Sequence, residues 1–129
     1  LIWQGGETNY TTALELINKV RTRTQINKLD DDVKSDEERM LKALLEERDM
    51  ELAAEGKRWY DLLRFGRSQN FKYKDQFINM IIENNSTVSA SWIRSVLKNT
   101  DAWYLPISQG EIDSNPNLIQ NPYYDVTAN

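Results

Sequence analysis

Between Glu47 and Arg64 the chain sets acids and arginines at spacings that could carry chemistry: Glu47, Arg48, Glu51, Glu55, Arg58, Asp61 and Arg64 follow one another every one to four residues. Acids four residues apart on a helix share a face. Their carboxylates can stand about 5 to 10 Å apart, the range in which glycoside hydrolases hold an acid and a base. A hydrolase is therefore one reading. Against it, an arginine lies within helical reach of each acid and favours the ionised form, the wrong state for a proton donor. Such acids can also hold a pair of metal ions, but those centres add a Glu-x-x-His element, and the chain has no histidine. Without histidine or cysteine there is no Ser/His/Asp or Cys/His nucleophile, no thiolate zinc site and no disulfide. No catalytic residue, metal ligand or cofactor is expected. The plainer reading is a structural net in which Glu47, Glu51, Glu55 and Arg58 pair along the helix with one another or with Arg48. Arg58 and Arg64 could clamp an acidic sugar or a partner's carboxylates, although Glu55 and Asp61 account for them without a ligand.

Four tryptophans and six tyrosines supply flat apolar faces of the kind on which sugar rings stack, although buried aromatics are the commoner case. Trp59 continues a helical stripe through Leu52 and Leu63 and is read as a packing anchor. Trp3, Tyr73, Trp92 and Trp103 fall outside the stripes, and Trp92 adjoins the polar loop 84–91. If any residue here stacks on a sugar, Trp92 and Tyr73 are the first candidates.

The elements that would position these groups are helical. Thr12 with Glu15 fits a capping box, and Ala13, Leu14, Ile17 and Val20 recur at helical spacing, predicting a helix over 12–24. Ser35 with Glu38 is a second box. It opens a long helix expected to run to about Phe65, with Leu41, Leu44, Leu45, Arg48, Leu52, Glu55, Trp59, Leu62 and Leu63 on one face. Gly56 then lies in a helix interior, where it costs roughly 1 kcal/mol relative to alanine and either admits a close neighbour, the preferred reading, or marks a bend, and Gly66 reads as the stop. Helical spacing also marks 75–83 and 91–97. Ala102 to Ile107 has strand-like character, limited by Pro106 to an edge or an extended tail. The remainder, rich in proline and asparagine, reads as a turn-rich tail that wraps the body.

The chain has 129 residues, 16 basic and 20 acidic, for a net charge of −4. That length suits one domain: a helical scaffold over 12–65, short helices and loops over 66–101, and an extended tail over 102–129. The acidic balance, with no basic cluster broader than Arg64 to Arg67, argues against nucleic acid. No apolar run approaches the roughly 18 residues of a membrane-spanning helix, and no signal peptide or lipid-attachment cysteine is present.

Residues 47–66 fill every fixed position of the pattern E-R-x-x-E-L-x-x-E-G-x-R-W-x-D-L-x-R-x-G: Glu47, Arg48, Glu51, Leu52, Glu55, Gly56, Arg58, Trp59, Asp61, Leu62, Arg64 and Gly66. Near the end come Tyr104-Leu105-Pro106-Ile107, Glu111-Ile112-Asp113, Asn115-Pro116-Asn117-Leu118 and Gln120-Asn121-Pro122, and residues 13–23 form a third match. In these motifs and their order the chain resembles the C-terminal portion of the SusD/RagB family of outer-membrane nutrient-binding lipoproteins. Ser108 and Tyr123 depart from the family's proline and glycine, both in turns. The resemblance implies a mainly α fold with tetratricopeptide-like helices and an extended tail. It also implies a cell-surface lipoprotein, anchored upstream of these residues, that binds glycans or other nutrients without catalysis and passes them to a SusC-like TonB-dependent porin. Two other classes remain open at this point: a helical-repeat module that binds protein, and a glycoside hydrolase.

Overall fold

The computed structural model describes residues 1–125, and the last part of the expected tail, 126–129, lies outside the described residues. The chain forms two compact units, Leu1–Phe65 and Gly66–Asn129. Among the described residues six α-helices carry the fold: α1 (Glu7–Arg23), α2 (Glu37–Glu51), α3 (Arg58–Phe71), α4 (Lys74–Glu83), α5 (Ala90–Leu97) and α6 (Gln109–Ser114). Three 3₁₀ turns, Ile2–Gln4, Asp31–Ser35 and Thr100–Trp103, link them, and no strand occurs among the described residues. Among the described residues no helix is long and apolar enough to cross a membrane.

In the first unit α1 packs on α2, and the turn Ile2–Gln4 touches both. The helical spacing of Ala13, Leu14 and Ile17 buries that face of α1 against Met40, Leu41, Ala43 and Leu45 of α2. Helix α1 begins well before the predicted Thr12. Its boundary is Gly5-Gly6, where φ values of 66° and 87° turn the chain in a way that favours glycine. Thr12 sits inside the helix and its hydroxyl donates to the Thr8 carbonyl. Helix α2 likewise takes its cap from Asp36, whose carboxylate accepts from the Arg39 amide at 2.8 Å, one residue beyond the predicted Ser35.

The long helix predicted over 35–65 is two helices. The chain leaves α2 at Leu52 and re-enters helix at Arg58, with Ala54 at φ 66° and Gly56 at φ 69° between them. Gly56 has open space where a Cβ would stand, so its role is a left-handed turn and no neighbour presses on it. The break resets the helical phase, and Glu55 and Trp59 leave the buried stripe that runs through Leu41 and Leu45.

The second unit is built around Trp103, 1 % exposed. Its indole NH donates to the Leu97 carbonyl at 2.8 Å, and its ring packs 4.3 Å from Phe77 of α4 and edge-on to Phe71 at 5.7 Å. Gly66, predicted as a helix stop, lies inside α3 and faces this cluster, where an added Cβ would meet Phe77 at 2.9 Å and Trp103 at 3.2 Å. The regular turns of α3 break two residues later, inside its bounds. Ser68 turns extended, and Gln69, Asn70 and Phe71 take φ of 48°, 57° and 63°. The predicted strand Ala102–Ile107 is replaced by the turn Thr100–Trp103 and an extended run. Here the Gln120 side chain does what a neighbouring strand would do: its carbonyl accepts from the Ile107 amide at 3.0 Å, and its NH₂ donates to the Ile107 carbonyl at 2.8 Å. Asn121 adds bonds to the carbonyls of Asp101 and Tyr104. The tail from Pro106 to Ile119 is thus a loop closed at its neck, with α6 inside it, and that short helix has no counterpart among the predicted elements.

Candidate ligand-binding site

The acids of the motif are engaged, and mostly by helices other than their own. Glu47, 5 % exposed, accepts from the Arg21 guanidinium of α1 at 2.9 Å, and Glu51 pairs with Arg23 of α1. Arg48 reaches Asp61 of α3 at 2.9 Å, and the other oxygen of that buried carboxylate takes Arg64 at 2.8 Å. Arg58 donates to the Leu45 carbonyl at 2.9 Å and faces Asp49 at 3.4 Å, while Glu55 pairs with Lys57 at 2.7 Å. The expected net along one helix is therefore a set of ties joining α1, α2 and α3. Pairing of Arg64 with Asp61 follows the expectation, and pairing of Arg58 with Glu55 does not. The cause is the turn at 52–57, which carries Glu55 away and brings Asp61 back against Arg48.

Replacing Glu47 by alanine strands the Arg21 guanidinium, whose side chain is only 14 % exposed, without its carboxylate. A charged hydrogen bond of this kind is worth about 2 kcal/mol. The expected result is a fall of that size in unfolding free energy, read by urea denaturation, and a loss under about 0.5 kcal/mol would show the tie to be ornamental.

The two aromatic candidates part company. Tyr73 is 2 % exposed, so its ring offers no face to a sugar, and the ammonium of Lys72 lies 5.0 Å from its centroid. Its position just ahead of α4 places it in the core, which its polar sequence neighbours conceal. Trp92 is 58 % exposed on α5. Trp59 is 38 % exposed, the reverse of the expected anchor, because the turn before α3 rotates it off the core stripe.

Helix α5 holds Trp92 firmly at its start. Ser89 caps the helix and its hydroxyl accepts from the Trp92 amide at 3.3 Å, while the Ser95 hydroxyl donates to the Trp92 carbonyl at 2.8 Å. Ile93 and Leu97 anchor the opposite face in the core, and α5 packs on α4. Across that pair Arg94 donates to the Asn79 side-chain carbonyl at 2.7 Å. Trp92 is therefore a solvent-facing ring on a helix whose backbone is capped beneath it, edged by Ser91, Ser95 and Arg94. This is a surface suited to stacking and hydrogen bonding, with no paired acid and base in it. Arg94 and Asn79 did not figure in the sequence reading. Arg94 stands two residues from Trp92, at the other edge of the exposed face of α5.

The first unit carries a separate feature, a groove of about 490 Å³ walled by Trp3, Leu16, Ile17, Leu41 and Leu44. Its polar edge is Glu47, Arg48 and Glu51, the side chains already tied to Arg21, Asp61 and Arg23. Among the described residues no group of three or more acids is placed to hold a metal ion.

Comparison with known proteins adds one match: a family model described as the SusD family covers residues 1–124. No curated protein and no solved structure matches the chain.

Proposed function

The chain belongs to the SusD family, and from that premise we propose that it binds glycans or related nutrients at the cell surface for import through a TonB-dependent outer-membrane transporter. Family proteins of this kind act in polysaccharide utilisation as binding proteins and not as enzymes. The observation that carries the reading to this chain's own residues is Trp92, an exposed ring on a polar helix face whose backbone Ser89 and Ser95 hold at the start of α5. A sugar ring laid on an indole buries apolar C–H faces while its hydroxyls stay with water or with neighbouring polar side chains. We propose that no covalent step is involved. Support for this comes from the motif carboxylates, which are spent on Arg21, Arg23, Arg48, Lys57 and Arg64. Attachment to the outer membrane through a lipid, and a SusC-like partner, belong to the same proposal.

A second reading, a helical module that grips protein, draws on the groove of the first unit. Its apolar walls would accept a ridge of side chains from another helix. The two readings separate in one titration. With the native protein and a panel of soluble glycans, Trp92→Ala is expected to weaken the best ligand by about tenfold, roughly 1.4 kcal/mol. Its circular dichroism should be unchanged, since the ring supports no core contact. Saturable binding that survives this substitution intact would remove Trp92 from the site, and absence of binding to any glycan would favour the protein-gripping module.

A further inference from the structure

Every ion pair named above lies between residues 21 and 64. The cations beside Trp92 are different. Lys74 of α4 donates its ammonium to the Lys98 carbonyl at 2.6 Å, Arg94 is held by Asn79 at 2.7 Å, and Lys98 follows the last turn of α5. Among the described residues no carboxylate pairs with any of these three. The segment from Asn84 to Thr100 carries no acid at all, in a chain whose net charge is −4. Acids resume only at its borders, with Glu83 and Asp101.

At about 100° per residue, the exposed face of α5 reads across its width as Arg94, Lys98, Ser91, Ser95, Trp92, opposite the buried Ile93 and Leu97. One edge is an aromatic plate, the other is cationic, and hydroxyls lie between. The Asn79 bond orients the Arg94 guanidinium before any ligand arrives, and leaves most of its donors to meet a planar anion. Lys74 also sits at the carboxyl end of α5, where the helix dipole favours a cation. That accounts for its attachment, and among the described residues no ion pair ties up the cluster's cations.

We propose that the outer face of α5 selects acidic glycans, sugars that carry a carboxylate or a sulfate. The inference rests on the glycan-binding reading above and names its substrate class. A ring stacked on Trp92 leaves the anionic substituent of a neighbouring sugar to reach Lys98 and Arg94 across the serines, with Lys74 behind them. The alternative occupant of a basic face with a tryptophan, an anionic lipid surface, suits it less. A helix that lies in a bilayer needs a broad apolar side, and the outward side of α5 is serine, with Trp92 its one large apolar residue.

The test uses the native protein with polygalacturonate and its fully methyl-esterified form, which share a backbone and differ in charge, and in parallel with dextran sulfate and dextran. The charged polymer of at least one pair is expected to bind roughly tenfold tighter at low salt, and the two pairs distinguish carboxylate from sulfate. That preference should vanish near 1 M salt, where the screening length falls to about 3 Å. The double variant Arg94→Gln, Lys98→Gln should bring the affinity for the charged polymer down to that for its neutral partner, whereas Trp92→Ala should weaken both. Equal affinity for charged and neutral polymers overturns the selectivity and leaves glycan binding intact. A preference that persists in the double variant also overturns it. Binding to phosphatidylglycerol vesicles in place of the polymers would assign the face to lipid, and failure of every polymer to bind would sink the glycan reading itself.

Discussion

Replacing Trp103 by alanine is expected to lower the unfolding free energy by about 4 kcal/mol, the cost of emptying a large buried aromatic site. Three contributions converge on the indole. It fills the centre of the second unit, it contacts Phe77 and Phe71 in tilted and edge-on arrangements, and its NH satisfies the Leu97 carbonyl at the end of α5. Aromatic pairs are worth about 1 kcal/mol each beyond their burial, and the stranded carbonyl adds about 1 kcal/mol. For a chain of this size the thermal midpoint should fall by roughly 15 °C. Trp103→Phe, which keeps most of the volume but loses the hydrogen bond and part of the ring, should lose less than half as much. A melting curve moved by under about 3 °C in the alanine variant would mean that the second unit is not organised around this residue.

The second large effect falls on Gly66. A Cβ there would stand 2.9 Å from both Cβ and Cγ of Phe77, atoms close to the α4 backbone that have little room to yield. Valine at this position gains a few tenths of a kcal/mol in helix propensity over glycine. The overpacking costs about 3 kcal/mol, so the clash wins. Gly66→Val should therefore destabilise strongly. Gly56→Ala, in open space but at φ 69°, should cost only about 1 kcal/mol through backbone strain. The ordering is the discriminating result. Comparable losses at both sites, measured by denaturant titration, would show that Gly66 is retained for its backbone and not for the close approach of α4. Both glycines occupy fixed positions of the family pattern, and the structure gives them different reasons for being there.

Much of the helical architecture was written in periodicity. Ala13, Leu14 and Ile17, then Met40, Leu41, Ala43 and Leu45, then Phe77 and Ile78, then Ile93 and Leu97 are apolar at helical spacing and are buried, because a helix must hide one side from water. The family pattern over 47–66, and the mainly α fold it implies, were also legible, and the match over residues 1–124 agrees with that resemblance. Trp92 could be singled out from its polar neighbours alone. What the linear chain did not reveal was everything that depends on phase and on distant partners. Gly56 and Ala54 take left-handed angles that no local apolar pattern announces, and this single turn moved Trp59 outward and brought Asp61 to Arg48. Ion pairing was misassigned along one helix because sequence spacing offers only helical neighbours as partners, whereas Arg21 and Arg23 are closer in space than in sequence. Tyr73 stands among polar residues and Trp103 in a run read as strand-like, and only packing shows both to be core. The same holds for Lys74, Arg94 and Lys98, scattered over 25 positions of sequence and gathered on one face because α4 and α5 pack together. Composition and periodicity act within a turn or two of chain, which suffices for helices and for a motif; burial, charge pairing and glycine contacts are properties of surfaces that meet only after folding.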